Sequence, residues 1–142
     1  MIIPDVNILV GALRHDDPRH ATLSTWLTDA VASPEPLGLP MVVLAGAVRV
    51  VTHPKVFRDP TPLASVLADL DRLIAEPGVV TLGEARWSTL SRLCEQADAR
   101  GNLVPDAHIA AIAIDHGATL VTLDHGFARF PGLTWCAPDA NG

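Results

Sequence analysis

Pro105-Asp106-Ala107-His108-Ile109-Ala110-Ala111-Ile112-Ala113-Ile114-Asp115-His116-Gly117-Ala118-Thr119-Leu120-Val121-Thr122-Leu123-Asp124 is the stretch on which the fold turns. Its first half is rich in alanine, the best helix former, and Pro105 suits a first helical turn. Gly117 supplies the stop. Thr119–Leu123 follows as an apolar, β-branched run that reads as a buried strand and ends on an acid, Asp124. A helix feeding a fully apolar strand is half of a βαβ unit.

The rest of the chain repeats this alternation. Ile2–Pro4 is a short strand that ends at Asp5. Pro18–Val31 reads as a helix with Leu23, Trp26, Leu27 and Ala30 on one face, broken by Ser33-Pro34-Glu35-Pro36. Leu37–Leu39 is a second strand, and Pro40 opens a helix to about Val51. Thr61-Pro62 opens another to about Ala75, with Leu63, Val66, Leu67, Leu70 and Ile74 as its apolar stripe. Val79–Leu82 is a strand, Arg86–Ala97 a helix, a helical turn falls near Phe127, and Leu133–Trp135 is an edge strand. The expected class is α/β, with helices on both faces of a mostly parallel sheet: a three-layer α/β/α domain over 1–142, with a short tail from about residue 136. Such sheets place their sites beyond the carboxyl ends of the strands, at the topological switch point.

Three aspartates stand where that rule points. Asp5 follows the first strand, Asp124 follows Thr119–Leu123, and Asp106 lies in the first turn of the alanine-rich helix. Singly, each has an ordinary use as a cap or turn residue. Converging on one edge, three carboxylates repel one another unless a cation joins them. Magnesium is held through one or two carboxylates, with water and substrate phosphate completing its shell. A metal held so activates water and stabilises a phosphodiester's leaving oxygen without a catalytic His or Ser. Asp115 lies nine positions after Asp106, on the opposite helix face at about 100° per residue, and reads as a solvated helix-end residue.

At this point the motifs resemble a known family. Asp5-Val6-Asn7-Ile8-Leu9 resembles the opening motif of PIN domains, and Arg49-Val50-Val51-Thr52-His53-Pro54 resembles a segment of one VapC subgroup. Gly101–Ala111 and His116–Asp124, with Phe127 and Phe130–Leu133, look like that subgroup's later acidic motifs. The resemblance implies a PIN-like fold, magnesium or manganese at the acidic cluster, and endonucleolytic cleavage of structured RNA, a tRNA or rRNA loop. It also implies a VapB-type antitoxin as partner. Asp5, Asp106 and Asp124 carry over as metal-binding catalytic acids. Asn7 and Thr122 carry over as the groups that orient them. Many PIN domains carry a Glu in the helix after the second strand. Here Leu44–Val48 holds no acid, which leaves open a catalytically weak or inactive domain that binds RNA or antitoxin.

Charge sets the main difficulty. The 142 residues include twelve Asp, four Glu and ten Lys plus Arg, for a net charge of −6. Acidic proteins bind nucleic acid poorly because phosphate contacts supply most of that affinity, so bound cations and local arginines must hold an RNA strand. Arg14, Arg49 and His125 are the candidate contacts. Arg14, His15, Arg19 and His20 form one basic cluster, and Arg49, His53, Lys55 and Arg58 another. His108, two positions after Asp106, points away from it and is not expected to act as a base.

Other readings fall away. The six histidines show no zinc-ligand spacing, and Cys94 and Cys136 read as small reduced thiols. A haloacid-dehalogenase phosphatase wants a second Asp at position 7 and a late lysine. Position 7 is Asn, and the only lysine is Lys55, which also fails a receiver domain. The opening residues meet a charge at once and read as no secretory leader, and no apolar run approaches a membrane span, so a cytoplasmic protein is expected. The three tryptophans are expected in the core, with Trp26 on a possible partner face. The mean hydropathy of +0.29 and the nearly all-apolar Val42–Val51 point to a homodimer or an antitoxin covering part of the surface.

Overall fold

The computed structural model describes residues 1–138. In chain order the elements are β1 (Ile2–Pro4), α1 (Val6–Leu13), α2 (His20–Ala32), β2 (Leu37–Pro40), α3 (Met41–Val51), α4 (Leu63–Ile74), β3 (Val79–Leu82), α5 (Trp87–Gln96), α6 (Leu103–Asp115), β4 (Thr119–Val121), a 3₁₀ turn (His125–Arg129) and β5 (Thr134–Cys136). The five strands form one sheet in the order β3-β2-β1-β4-β5, and every pair is parallel. The chain winds from β1 outward to β3, then returns to the other side of β1 with β4. The switch point therefore lies between β1 and β4, where Asp5 and Asp124 leave the sheet. Helix α1 packs on α2 and α3, α3 on α4, and α5 on α6. Right-handed crossovers assign these two groups to opposite faces, as expected for three layers.

The core runs through both layers. Ile3, Leu37, Leu39 and Leu120 of the sheet are fully buried with Leu9, Val43, Ala47, Val51, Leu93 and Ile112 of the helices. Helix α3 meets its apolar demand mostly within the chain. Val43, Leu44, Ala47 and Val51 are buried, and Gly46 faces α1 so closely that a Cβ there would lie 2.8 Å from Val6 Cγ2. Its apolar character therefore does not by itself call for a second chain. Gly117 ends α6 at φ +59°, a conformation that costs glycine little.

Four local expectations change. Helix α1 has no counterpart in the sequence reading: buried on Ile8, Leu9, Val10 and Gly11, it shows no amphipathic period, although Asp5 caps it by accepting from the Val6 N–H. Helix α6 starts at Leu103, two residues before Pro105, because a proline in the first turn gives up only an N–H that has no helical partner. The α4 stripe is half covered, with Val66 and Leu70 buried and Leu63, Leu67 and Ile74 exposed. Trp26 and Trp135 pack against the core, but Trp87 is 77% exposed. The expected tail from about residue 136 overlaps the end of β5, and residues 139–142 lie outside the described residues. No helix among the described residues is long and apolar enough to cross a membrane.

Candidate active site

Asp5 leaves β1 into the first turn of α1, and its two carboxylate oxygens are held differently. Oδ1 accepts from the Val6 N–H at 2.7 Å. Oδ2 accepts from the Thr122 hydroxyl at 2.6 Å and from Asn7 Nδ2 at 3.1 Å. Thr122 is fully buried and also accepts from the Asp124 N–H at 3.0 Å, while Asn7 Oδ1 accepts from the Leu123 N–H at 3.2 Å. Asn7 and Thr122 thus lock the end of β1 to the end of β4 and fix the direction of Asp5. Asp124 in turn caps the 3₁₀ turn, with Oδ1 accepting from the Gly126 N–H at 2.8 Å.

Asp106 comes from the first turn of α6. Among the described residues no protein donor reaches its carboxylate, and its only influences are burial and distant charges. Burial, then the charges of Asp5 and Asp124, push its pKa above the usual carboxylate range, against a small opposing pull from Arg129. Burial also raises Asp5, with Asp124 adding to it, against the lowering effect of the hydrogen bonds from Thr122, Val6 and Asn7. Two carboxylates that both resist ionisation in the same space form a site short of positive charge.

These three acids line one cleft of about 900 Å³, and Asn7 lines it with them. Its walls are apolar, from Val42, Val50, Leu90 and Ile109, and Asp17, Arg19 and Arg49 also border it. His108, expected to point away from Asp106, borders the same cleft, and its Nε2 accepts from the Ala85 N–H at 3.3 Å. Among the described residues, no three acidic, histidine or cysteine side chains stand close enough to ligate one ion by themselves. The all-oxygen donors and the unmatched Asp106 fit a hard cation that takes one or two carboxylates and fills its shell with water.

The fold and this arrangement of acids agree with the sequence comparisons. The sequence model of the family described as "PIN domain" matches residues 2–133. The chain belongs to the PIN-domain family. It is 43% identical over 140 residues to "Ribonuclease VapC43" of Mycobacterium tuberculosis, covering 97% of this chain and 95% of that one. It is 36% identical to "Ribonuclease VapC31" of the same species, covering 97% and 99%. Among solved structures, VapBC2 from Rickettsia felis bound to a promoter DNA fragment matches with a TM-score of 0.70 at 23% identity over 98% of this chain and 100% of that one. Mycobacterium tuberculosis VapC20, described as a sarcin-ricin loop cleaving toxin, matches with a TM-score of 0.68 at 19% identity, covering 97% and 100%. At these identities the structures bear on the fold, which is that of the VapC proteins.

Two sequence expectations need correction. Arg14 is not available to a ligand. It is 8% exposed, pairs with Asp16 through Nε and Nη2, donates through Nη1 to the Asp59 carbonyl at 2.7 Å and to Thr61, and lies 3.9 Å over the Phe57 ring. It clamps the end of α1 to the loop before α4, a contact 45 residues away that no local pattern announces. Asp115 does face away from the site, but it is not solvated: it accepts from the Arg86 N–H, Nε and Nη2 and from the Thr89 hydroxyl, capping α5. His125 is exposed, stacks edge-on against Trp135 with centroids 5.5 Å apart, and is not among the residues bordering the cleft. Asp17 and Arg19 border it from the loop before α2. The basic cluster around them was legible, but which member faces the cleft was not.

Proposed function

We propose that this chain is a metal-dependent endoribonuclease of the VapC type, the toxin of a toxin–antitoxin pair, cutting structured RNA at a tRNA or rRNA loop. The observation that carries the reading is the meeting of Asp5, Asp106 and Asp124 around one cleft at the switch point of a parallel sheet. The ribonuclease names borne by its relatives support it. Asp5 and Asp106 would hold magnesium, or manganese, with Asp124 as a third acid acting directly or through water. Bound there, the metal supplies Lewis-acid stabilisation and an activated water for attack on a phosphodiester.

The chain's own residues do the positioning. Thr122 and Asn7 donate to Asp5 Oδ2, so its carboxylate cannot turn away from the cleft. Asp124 keeps Oδ1 on Gly126 and leaves Oδ2 without a protein donor among the described residues, available to hold a water. The apolar walls from Val42, Val50, Leu90 and Ile109 lower the local dielectric and strengthen every charge interaction in the cleft. Arg49, on the cleft's border, is an RNA contact. His125, outside it, would touch only RNA that extends past the 3₁₀ turn.

Several matched structures are VapBC complexes, one from Rickettsia felis and one from Salmonella typhimurium with DNA. They support a VapB-type antitoxin as partner. The exposed Met41, Leu63, Leu67 and Trp87 offer apolar surface for that antitoxin or for a second copy in a homodimer. A weak or inactive domain that binds without cutting is the competing reading, favoured by the missing acid between Leu44 and Val48 and by the lack, among the described residues, of a three-acid ligand group. The experiment that separates them incubates the protein with total cellular RNA, with magnesium or with EDTA, beside Asp5→Ala and Asp106→Ala. Discrete new ends that need metal and both aspartates are expected. No cleavage with magnesium, or with manganese in its place, would move the assignment to the binding-only reading.

A further inference from the structure

The chain has nine arginines, and among the described residues four of them pair with an acid. Arg14, Arg72, Arg86 and Arg100 pair with Asp16, Asp69, Asp115 and Asp98. Arg19 and Arg49 border the cleft, and among the described residues neither guanidinium has an acidic partner. Arg129 closes the 3₁₀ turn that Asp124 opens. Its Nε donates to the Gly126 carbonyl at 2.8 Å, and its two Nη groups carry no partner among the described residues. Arg58 and Arg92 also have no acidic partner among the described residues but lie away from the cleft, so being unpaired is not by itself a signal. Arg19 and Arg49 border the acidic cleft, and Arg129, though not on its border, stands beside Asp124 across Gly126.

Gly126 tightens the case. A Cβ at that position would lie 2.9 Å from Asp124 Oδ1 and 3.0 Å from Arg129 Nη2. The acid and the guanidinium therefore meet over the same small residue, where an added side chain would have to push their ends aside, yet they form no ion pair. Among the described residues, Arg129 is the one cation close enough for its charge to act on Asp106. A guanidinium anchored through Nε keeps its Nη pair in a fork that matches two phosphate oxygens.

We propose that Arg129 grips the RNA phosphate that lies against Asp106 and Asp124, and that Arg19 and Arg49 hold neighbouring phosphates from the α2 and α3 side of the cleft. This deepens the nuclease reading and rests on it. It also answers the charge difficulty: a strand can enter an acidic protein along three unpaired arginines. Arg129 is then a substrate-binding residue, with its backbone hydrogen bond setting its aim.

The test measures binding of a labelled single-stranded RNA oligonucleotide by anisotropy, in EDTA so that nothing is cut, across a series of salt concentrations. Cleavage in magnesium and thermal melting are measured on the same proteins: wild type, Arg129→Gln, Arg129→Lys, and Arg92→Gln as an exposed arginine away from the cleft. Arg129→Gln is expected to weaken binding about tenfold at low salt and to reduce the slope of log affinity against log salt by about 0.7, the loss of one single-strand phosphate contact. Its kcat/KM should fall by at least the same factor, with an unchanged melting temperature. Arg129→Lys should keep the slope and lose part of the affinity, and Arg92→Gln should match wild type. A wild-type slope in Arg129→Gln, with or without a lower melting temperature, would overturn the proposal while leaving the nuclease reading intact. A wild type that neither binds nor cuts RNA would overturn both.

Discussion

Helix α6 carries an aspartate near each end, and the two sit in opposite electrostatic situations. Asp115, at the carboxyl end, accepts four hydrogen bonds from Arg86 and Thr89. Burial works to raise its pKa, but the Thr89 hydroxyl, the Arg86 N–H and the Arg86 guanidinium outweigh it and hold the carboxyl below the usual range. Asp106, in the first turn, receives no protein hydrogen bond among the described residues and is raised by burial and by Asp5 and Asp124. The helix dipole works against this pattern, since it favours a negative charge at the amino end and disfavours one at the carboxyl end. Specific partners therefore dominate the dipole at both ends. One acid is completed by the fold and stabilises it; the other is left incomplete, as a group meant for something outside the chain would be.

The largest test of this contrast is Asp106→Asn. Metal-dependent RNA cleavage should fall by about a thousandfold or more. In EDTA at neutral pH the variant should melt a few degrees above wild type, because it removes a charge that is repelled and unmatched. Loss of activity with loss of stability would instead make Asp106 a structural residue. Next in size is Thr122→Val, which removes the hydroxyl on Asp5 Oδ2 and the acceptor for the Asp124 N–H. Metal affinity, read by titration calorimetry, should drop about 10–100-fold, with little effect at Asp115. Asp115→Ala should do the reverse. It strands the Thr89 hydroxyl and frees the start of α5, costing about 1–3 kcal/mol in a denaturant melt, with metal affinity unchanged.

The smallest effect is the pH dependence of the metal-free protein. Asp5 and Asp106 have raised native pKa values, so their stabilising contribution is complete below the unfolded carboxylate value, about 4, and is lost as pH rises through the raised values. Asp115, with a lowered value, contributes the other way: its stabilisation is present above about 4 and is lost as pH falls through its native value. Melting in EDTA should therefore show wild type gaining stability from pH 8 toward mild acid. Asp106→Asn should show less of that gain, and saturating magnesium should erase it by binding the ionised form. A gain as large in Asp106→Asn as in wild type would assign the effect to other groups.

Much of the architecture was legible because it is written in local pattern. Apolar runs ending on Asp5 and Asp124, and the alanine-rich segment closed by Gly117, are short-range features that depend on neighbours a few residues apart. Helix α1 escaped because Val6–Leu13 is buried nearly all round and has no period to read; Asp5, placed as its cap, was the one available signal. Arg14 and Asp115 were misjudged for another reason. A charged residue's role depends on its partners, and theirs are the loop at Asp59–Thr61 and the start of α5 at Arg86–Thr89, far off in sequence. Arg129 drew no notice because a lone arginine after a turn looks like any surface charge.

The amino-acid order alone determined the alternation of strands and helices, the parallel sheet that follows from it, and the placing of three acids at strand or helix ends, because backbone propensity and apolar periodicity act over a few residues. Which charges are satisfied and which are left open was decided only by the tertiary structure. Thr122 reaches Asp5 across 117 positions, and only the folded sheet, by setting β4 beside β1, brings that hydroxyl within hydrogen-bonding distance of the carboxylate it orients.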